Sequence, residues 1–271
     1  MTRLLASDLD GTLLQTGGTI SQTNVDAIAR ATAEGLDIVF VTGRPPRWMD
    51  NIAEITGHKG MALCANGSMV IDLESLDIIS ADLIDPEVGF EAARRLRDID
   101  PGISFAVELA RADADFLVDH NYRPRWEVAE PPPKATVEEM FETGLVTKFL
   151  ARPSEDAVHD ADTFLKAAYG VTSDILDVTH SDIFDVLVEM SLLGVNKGSG
   201  LARLAAARGH GAEHVAAVGD MPNDVPMIKW AGRGAAVANA HEWVKEVANE
   251  HLPSNDDHAV AVLIDRILNN D

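Results

Sequence analysis

Two aspartates stand two positions apart in SDLDGTLL, residues 7–14, directly after an apolar run. Alternate residues of an extended chain point to the same side, so Asp8 and Asp10 would face one site. A carboxylate such as Asp8 can attack phosphorus in line and form an aspartyl-phosphate. Asp10 could then protonate the leaving oxygen and later deprotonate the attacking water. Gly11 permits the tight turn that brings backbone amides near a phosphate, so the segment predicts phosphoryl transfer if other segments supply partners.

Polar side chains follow further apolar runs of the chain in the same way. They are Thr42 and Arg44 in VTGR, Asn66 in ANG, and Asp220, Asn223 and Asp224 in GDMPND, with Lys197 opening the helical segment before the last of these. The carboxyl ends of parallel strands share one edge of a sheet, and ligands bind at that edge. We therefore expect these residues to converge on one crevice.

The converging side chains predict phosphoryl transfer assisted by Mg2+. This cation prefers a few carboxylate oxygens and keeps positions for water and substrate, and Asp8 with Asp220 could supply the carboxylates. The hydroxyl of Thr42 and the ammonium of Lys197 would bind the transferring oxygens and stabilise their charge. A thiol- or imidazole-bound metal is not expected, because the chain has one cysteine and no H-E-x-x-H pattern.

Each of these motifs taken alone also has a purely structural explanation. A D-x-D pair occurs often by chance, VTGR is a turn into a helix, and a lysine near a helix start usually faces solvent. GDMPND could be a loop whose side chains cap the next helix. It is the combination in this order that favours a catalytic site.

The apolar periodicity predicts an α/β fold with a parallel sheet. The predicted strands are RLLASDL, LDIVFVTG and GMALCANG, with the helices ISQTNVDAIARATAEG and PPRWMDNIAEITG between them. This alternation is typical of a parallel sheet with crossover helices. After a predicted hairpin, SMVIDLESLDIISADLI, strands come in pairs, and from Asn196 the first pattern resumes. We expect a Rossmann-like core over residues 1–83 and 190–271, split by an inserted α+β domain over residues 84–189.

Composition and charge exclude several classes of partner. The chain has 271 residues, 46% of them hydrophobic, and a formal charge of −22 from 44 acidic and 22 basic residues. Such a surface repels phosphate backbones, so nucleic acid and anionic membranes are not expected partners. We expect no signal peptide, because Asp8 and Asp10 interrupt the early apolar run, and no membrane span, because no apolar run is long enough to cross a bilayer. The single cysteine, Cys64, fits a reducing cytoplasm and is expected to be a small buried residue.

The four motifs together resemble those of the haloacid dehalogenase (HAD) superfamily of phosphohydrolases: DLDGTLL, VTGR, the lysine of NKG, and GDMPND. The large insert between the second motif and the lysine is similar to that of the Cof-type branch, which carries a type IIB α/β cap domain. The resemblance covers the whole chain. It implies a phosphatase with an aspartyl-phosphate intermediate and Mg2+ as the cofactor.

The resemblance also implies roles for individual residues. Asp8 would be the nucleophile and Asp10 the acid/base. Mg2+ would lie on Asp8, the backbone carbonyl of Asp10, and Asp220, with Asp224 supporting them. The residues implied to bind phosphate or substrate are Thr42, Gly43, Arg44, Asn66, Lys197 and Asn223.

The sequence defines the residues that recognise the leaving group less well. The candidates are Glu108, Arg123, Arg125 and Trp126 in the inserted domain, and Arg47 beyond the VTGR turn. Burial in the domain core or plain exposure is the alternative role for each residue of the inserted domain.

We expect a cytoplasmic phosphatase of small phosphorylated metabolites, with sugar phosphates or related organophosphates as the first substrates to test. A sugar phosphomutase of the phosphomannomutase type has a similar core and cap and stays an alternative. A phospho-acceptor regulator, which holds its phosphate on an aspartate, is the second alternative. The sequence does not decide between a monomer and a homodimer.

Overall fold

The computed structural model describes residues 1–112, 115–124, 131–154, 161–180 and 186–270. Arg125 and Trp126 lie outside the described residues. The chain divides into two compact units: the first comprises Met1–Ser80 and Asn196–Asp271, and the second comprises Ala81–Val195. A Rossmann-like α/β core interrupted by a separate α+β unit confirms the predicted fold class.

Strands and helices alternate along the first unit except where three strands follow one another, and the second unit contains two pairs of consecutive strands. In chain order the strands are β1 (Leu4–Ser7), β2 (Asp37–Val41), β3 (Met61–Cys64), β4 (Met69–Asp72), β5 (Ile78–Ala81), β6 (Ser104–Leu109), β7 (Phe116–Val118), β8 (Val146–Arg152), β9 (Leu176–Thr179), β10 (Val188–Leu192), β11 (Val215–Gly219), β12 (Arg233–Ala236) and β13 (Glu250–His251). The helices are α1 (Gln22–Ala33), α2 (Asp50–Thr56), α3 (Pro86–Ile99), α4 (Val137–Glu142), α5 (Ala161–Thr172), α6 (Lys197–Ala207), α7 (Val225–Trp230), α8 (Glu242–Val247) and α9 (Ala259–Leu268). Among these described helices we find none with the length and apolar character that a membrane crossing needs.

The first unit is built on a largely parallel sheet with the strand order β13-β12-β11-β1-β2-β3-β4-β5. β1 pairs in parallel with β11 on one side and with β2 on the other, and β2 pairs in parallel with β3. β4 returns antiparallel to β3, and β5 is its neighbour, as the predicted hairpin requires. Every residue of β1 and β11 is buried. This burial explains why both are continuous apolar runs without polar alternation.

The start of α6 is fixed by a local capping signal. The side chain of Asn196 accepts hydrogen bonds from the backbone N–H groups of Gly198 and Ser199 at 3.1 and 3.0 Å. Such a cap satisfies N–H groups that have no partner within the helix. It therefore sets the residue at which α6 begins, and that residue is Lys197.

The second unit is an antiparallel sheet with the order β7-β6-β8-β10-β9. Helices α3, α4 and α5 pack on one face of this sheet through an apolar core that includes Phe105, Phe141 and Phe149. Since strand residues alternate between faces, Glu108 and Lys148 lie on the other face as a cross-strand pair. Lys148 Nζ forms a buried ion pair with Glu189 at 2.5 Å. The two faces of this sheet therefore differ, one apolar and the other carrying charge.

Candidate active site

Loops that carry predicted site residues leave the same edge of the sheet in the first unit. Asp8 follows β1, Thr42 follows β2, Asn66 lies in the turn after β3, and Asp220 follows β11. These four strands run parallel, so their carboxyl ends lie at one edge, where ligands bind in open α/β sheets. Lys197, in the first turn of α6, reaches the same place with its side chain.

The turn after β1 passes close to the carboxylate of Asp220. It begins where the backbone N–H of Asp8 donates to a carbonyl of β11 at 3.0 Å. Gly11 then adopts a φ of +75°, and a Cβ atom at this position would lie 2.2 Å from Asp220 Oδ2. Thr12 Oγ1 donates to Asp220 Oδ1 at 3.4 Å. Both the left-handed backbone and the close approach therefore require glycine at position 11.

A buried lysine joins two of the aspartates. Lys197 Nζ donates to Asp8 Oδ1 at 2.7 Å and to Asp224 Oδ1 at 2.5 Å, and all three side chains are buried. The other oxygen of Asp224 accepts hydrogen bonds from the backbone N–H groups of Asp220 and Met221 at 2.9 and 3.0 Å. Asp224 therefore holds both the ammonium of Lys197 and the loop that carries Asp220.

Burial and the nearby carboxylates change the acidity of these groups. Burial first, and then the charge of Asp224, raises the pKa of Asp8 from its ordinary 3.8 to about 7, although Lys197 acts in the opposite direction. Burial first, and then Asp8 and Asp224, raises the pKa of Asp220 from 3.8 to about 9. Burial would lower the pKa of Lys197, but Asp224 and Asp8 outweigh it and hold this pKa above its ordinary value. The single positive charge of Lys197 is thus not enough to keep all of these buried carboxyl groups ionised at their ordinary pKa values.

The carboxylates fit a divalent metal ion. One oxygen each from Asp8, Asp220 and Asp224 lie within 4.8 Å of one another. Carboxylate oxygens are the donors that Mg2+ prefers, and a cation among them would offset the repulsion that, after burial, raises the pKa values of Asp8 and Asp220. Both oxygens of Asp224 already accept hydrogen bonds from Lys197 and from loop amides. Asp8 and Asp220 are therefore the better ligands of the three.

Arg44 binds the second aspartate of the D-x-D pair. Its Nε donates to Asp10 Oδ2 at 2.7 Å and its Nη2 donates to Asp10 Oδ1 at 2.5 Å. The backbone N–H of Arg44 also donates to Thr42 Oγ1 at 3.0 Å, which closes the turn around Gly43. The structure thus places the guanidinium on the candidate acid/base, while contact of Thr42, Gly43 or Arg44 with a phosphate stays a prediction.

Two asparagines join the turn after β3 to the GDMPND loop. Asn66 has a φ of +58°, a left-handed conformation that asparagine tolerates better than most residues. Asn223 Nδ2 donates to Asn66 Oδ1 at 3.1 Å, and both side chains are buried. Both residues thus lie at the predicted edge, and their contact with phosphate or substrate stays a prediction.

The candidate leaving-group residues have separate surroundings. Glu108 is buried in β6, and Arg123 donates to the carbonyls of His120 and Tyr122, both at 2.9 Å. The guanidinium of Arg47 lies 5.3 Å from the ring centroid of the adjacent Trp48. Recognition of a leaving group by Glu108, Arg123 or Arg47 stays a prediction.

Sequence reasoning missed two residues that contact the site. Thr12 donates to Asp220, and Asn239 Nδ2 donates to the carbonyl of Gly11 at 2.8 Å. A signal for Asn239 was present, because the apolar run GAAVAN, residues 234–239, ends in asparagine as the run before Asn66 does. An apolar run followed by a polar residue is also the pattern that predicts the other loops of the site.

Comparison with known proteins agrees with this geometry. A family model described as haloacid dehalogenase-like hydrolase matches residues 5–264. The chain is 27% identical to the putative phosphatase YxeH of Bacillus subtilis over 99% of both chains. It is 26% identical to the pyridoxal phosphate phosphatase YbhA of Escherichia coli over 97% of both.

A solved structure is similar to this chain over nearly its whole length. It is BT1666 from Bacteroides thetaiotaomicron, described as a phosphatase of the haloalkanoate (HAD) enzyme superfamily. The TM-score is 0.80 at 25% identity, covering 98% of this chain and 95% of that one.

Proposed function

The chain belongs to the haloacid dehalogenase-like hydrolases, and from this premise we propose that it is a Mg2+-dependent phosphatase that acts through an aspartyl-phosphate on Asp8. It is a phosphoric monoester hydrolase. Relatives that it matches along nearly their whole length are named phosphatases. The observation that carries the finer proposal is the buried cluster in which Lys197 joins Asp8 to Asp224 beside Asp220.

Asp8 has the surroundings that a nucleophile needs. Its side chain is held by Lys197 Nζ at 2.7 Å, so one carboxylate oxygen is oriented while the other can attack phosphorus in line. Attack forms a bond between the carboxylate oxygen and phosphorus and breaks the bond from phosphorus to the leaving oxygen. The ammonium of Lys197 lies beside Asp8, and there it would stabilise negative charge that develops on the transferring group.

Asp10 is the candidate for proton transfer. Its side chain is 58% exposed and is held by Arg44 in a two-point contact. In the first step Asp10 must be protonated, and it would donate that proton to the leaving oxygen. In the second step, now a carboxylate, it would accept a proton from the water that attacks phosphorus; this attack breaks the bond between phosphorus and the Asp8 oxygen and releases phosphate. Arg44 thus orients Asp10 from the side of the VTGR turn.

Asp8 and Asp220, with the backbone carbonyl of Asp10, are the proposed ligands of Mg2+. When bound, the cation supplies positive charge that offsets the clustered carboxylates and the phosphoryl oxygens. We propose that Asp224 positions the site without binding the cation, since it accepts hydrogen bonds from Lys197 and from the amides of the Asp220 loop.

The substrate class we propose is a small phosphorylated metabolite, with sugar phosphates and related organophosphates first. One relative is named a pyridoxal phosphate phosphatase, and another a 5-amino-6-(5-phospho-D-ribitylamino)uracil phosphatase. Both names describe small phosphate monoesters. A net charge of −22 also disfavours polyanionic nucleic acid as a substrate.

The test is the release of free phosphate from a panel of phosphorylated metabolites with Mg2+, with EDTA, and with the Asp8→Asn variant. We expect release that needs Mg2+ and falls at least about 1,000-fold in Asp8→Asn, because the amide is a far poorer nucleophile. The surface variant Asp26→Asn in α1 is the matched control and should keep full activity.

Four results would count against the proposal. Release that continues in EDTA would remove the metal, and release by Asp8→Asn would remove the nucleophile. Little free phosphate together with isomerisation of a sugar monophosphate, dependent on a sugar bisphosphate, would indicate the mutase. A phosphate that stays on Asp8 for minutes would indicate the phospho-acceptor regulator.

A further inference from the structure

Three asparagine side chains bind backbone carbonyls of the segment that follows Asp8. Each donates through its amide nitrogen, and the residues joined are 11, 228 and 241 positions apart in the sequence. The pairs are Asn239 to Gly11 at 2.8 Å, Asn24 to Leu13 at 3.2 Å and Asn255 to Leu14 at 2.9 Å. The backbone of this segment is therefore fixed from outside, by side chains of α1 and of the carboxyl-terminal part of the chain.

Asn239 differs from the other two because its segment also contacts the second carboxylate loop. The backbone N–H of His241 donates to the carbonyl of Asp220 at 2.8 Å. Asn239 Oδ1 accepts from the backbone N–H of Asn255 at 3.0 Å, so the amide group is held at both ends. Residues 237–241 thus bridge the loops that carry Asp8 and Asp220, which lie more than 200 residues apart in the sequence.

We propose that Asn239 is a positioning residue that holds the Asp10–Gly11–Thr12 turn against Asp220. The inference rests on the proposed function, since it assigns the alignment of that same site. Gly11 lies so close to Asp220 that a Cβ atom would be 2.2 Å from its Oδ2. Rotation of the Gly11 peptide group would therefore move Asp10 on one side and the Thr12 hydroxyl on the other.

The side chain of Asn239 has little role in the core. It is exposed. It forms one hydrogen bond with the carbonyl of Gly11 and one with the backbone N–H of Asn255. Loss of the amide should thus change the alignment of the turn more than the free energy of unfolding. A displacement of about 1 Å in a catalytic group can lower a rate about 100-fold.

The experiment compares Asn239→Ala and Asn239→Asp with a matched control, Asn249→Ala. Asn249 is also exposed, and its side chain accepts one hydrogen bond from the backbone N–H of Gly234 at 2.9 Å, away from the turn. Asn239→Asp keeps an oxygen for the Asn255 N–H but has no donor for the Gly11 carbonyl. The measurements are kcat and KM for phosphate release, the thermal midpoint, and the rise in that midpoint caused by Mg2+.

We expect kcat to fall about 10- to 100-fold in both Asn239 variants, with KM within threefold of the wild type. Asn249→Ala should stay within twofold in kcat, while its thermal midpoint without Mg2+ shifts as much as that of Asn239→Ala. The Mg2+-induced rise in the midpoint should be smaller in Asn239→Ala than in the wild type.

The proposal is overturned if Asn239→Ala keeps kcat within threefold of the wild type. It is also overturned if Asn239→Asp is fully active, because the contact with Asn255 would then be the one that matters. A wild type that releases no phosphate from any substrate would refute the proposed function instead. In that case the Mg2+-induced rise, which needs no turnover, decides the positioning role by itself.

Discussion

Buried carboxyl groups at the site link the stability of the metal-free protein to pH. The pKa of Asp8 rises from 3.8 to about 7 and that of Asp220 from 3.8 to about 9, in both cases chiefly through burial. Between the unfolded and folded pKa values, the folded protein holds protons that the unfolded chain has released. The stabilisation from these protons is complete below about pH 4 and is lost as the pH rises through the folded values.

We therefore expect the thermal midpoint in EDTA to fall between pH 5 and pH 9 more steeply in the wild type than in Asp220→Asn. The amide cannot ionise, so it removes one of the two titrating groups. In a protein of this size about 1 kcal/mol moves the midpoint by roughly 2–4 °C, which differential scanning calorimetry resolves. Excess Mg2+ at pH 8 should raise the wild-type midpoint and leave that of Asp220→Asn unchanged. Parallel pH profiles for the two proteins would contradict the linkage.

At the scale of elements, backbone contact between the turn after β3 and α6 positions Lys197. Gly67 in that turn has a φ of +91°, and a Cβ atom there would lie 2.5 Å from the carbonyl oxygen of Asn196. Similarly, a Cβ atom on Gly200 of α6 would lie 2.7 Å from the carbonyl oxygen of Gly67. The two glycines allow the turn and the first turn of the helix to touch, and this contact fixes where the ammonium of Lys197 lies.

Gly67→Ala should therefore displace the start of α6. Alanine in the left-handed region costs about 1 kcal/mol, and the overlap with Asn196 adds about 1–3 kcal/mol. The matched control is Gly18→Ala, where φ is +75° and nothing lies within 4 Å of the new Cβ atom. Urea unfolding should show the larger loss in Gly67→Ala, and kcat should fall in that variant alone. Equal losses in the two variants would show that the backbone strain, and not the contact, is what matters.

The sequence predicts the elements that position the site, because each combines two signals: an apolar run and a polar residue that follows it. β1, β2, β3 and β11 are apolar runs with a polar residue just beyond their carboxyl ends, and short buried strands of a parallel sheet need no alternation. The convergence of Asp8, Lys197 and Asp220 follows from that topology.

Short elements and individual side-chain contacts leave no such pattern. α4 spans six residues, too few for a helical period to stand out. The contact between Asn239 and Gly11 joins residues 228 positions apart through a single hydrogen bond to the backbone. The pairing of Arg44 with Asp10 likewise depends on side-chain packing, which spacing along the chain does not encode.

At the scale of the whole molecule, the charge of −22 works against the compact state. The chain has 44 acidic and 22 basic residues, so folding brings negative charges closer together. Surface ion pairs such as that between Lys59 and Glu74 offset little of this repulsion. Salt screens it, because the Debye length falls from about 30 Å at 0.01 M to about 10 Å at 0.1 M.

The thermal midpoint at pH 8 should consequently rise by several degrees between 10 mM and 500 mM KCl. The effect should shrink near pH 5, because the sequence pI is about 4.6 and the net charge becomes small there. Sorbitol at equal osmolality is the control for effects of the solute that do not involve charge. A rise that is the same at pH 5 and pH 8, or that sorbitol reproduces, would show that KCl acts through hydration of the surface. Screening then would not be the cause, and the acidic composition would contribute solubility without a measurable cost in stability.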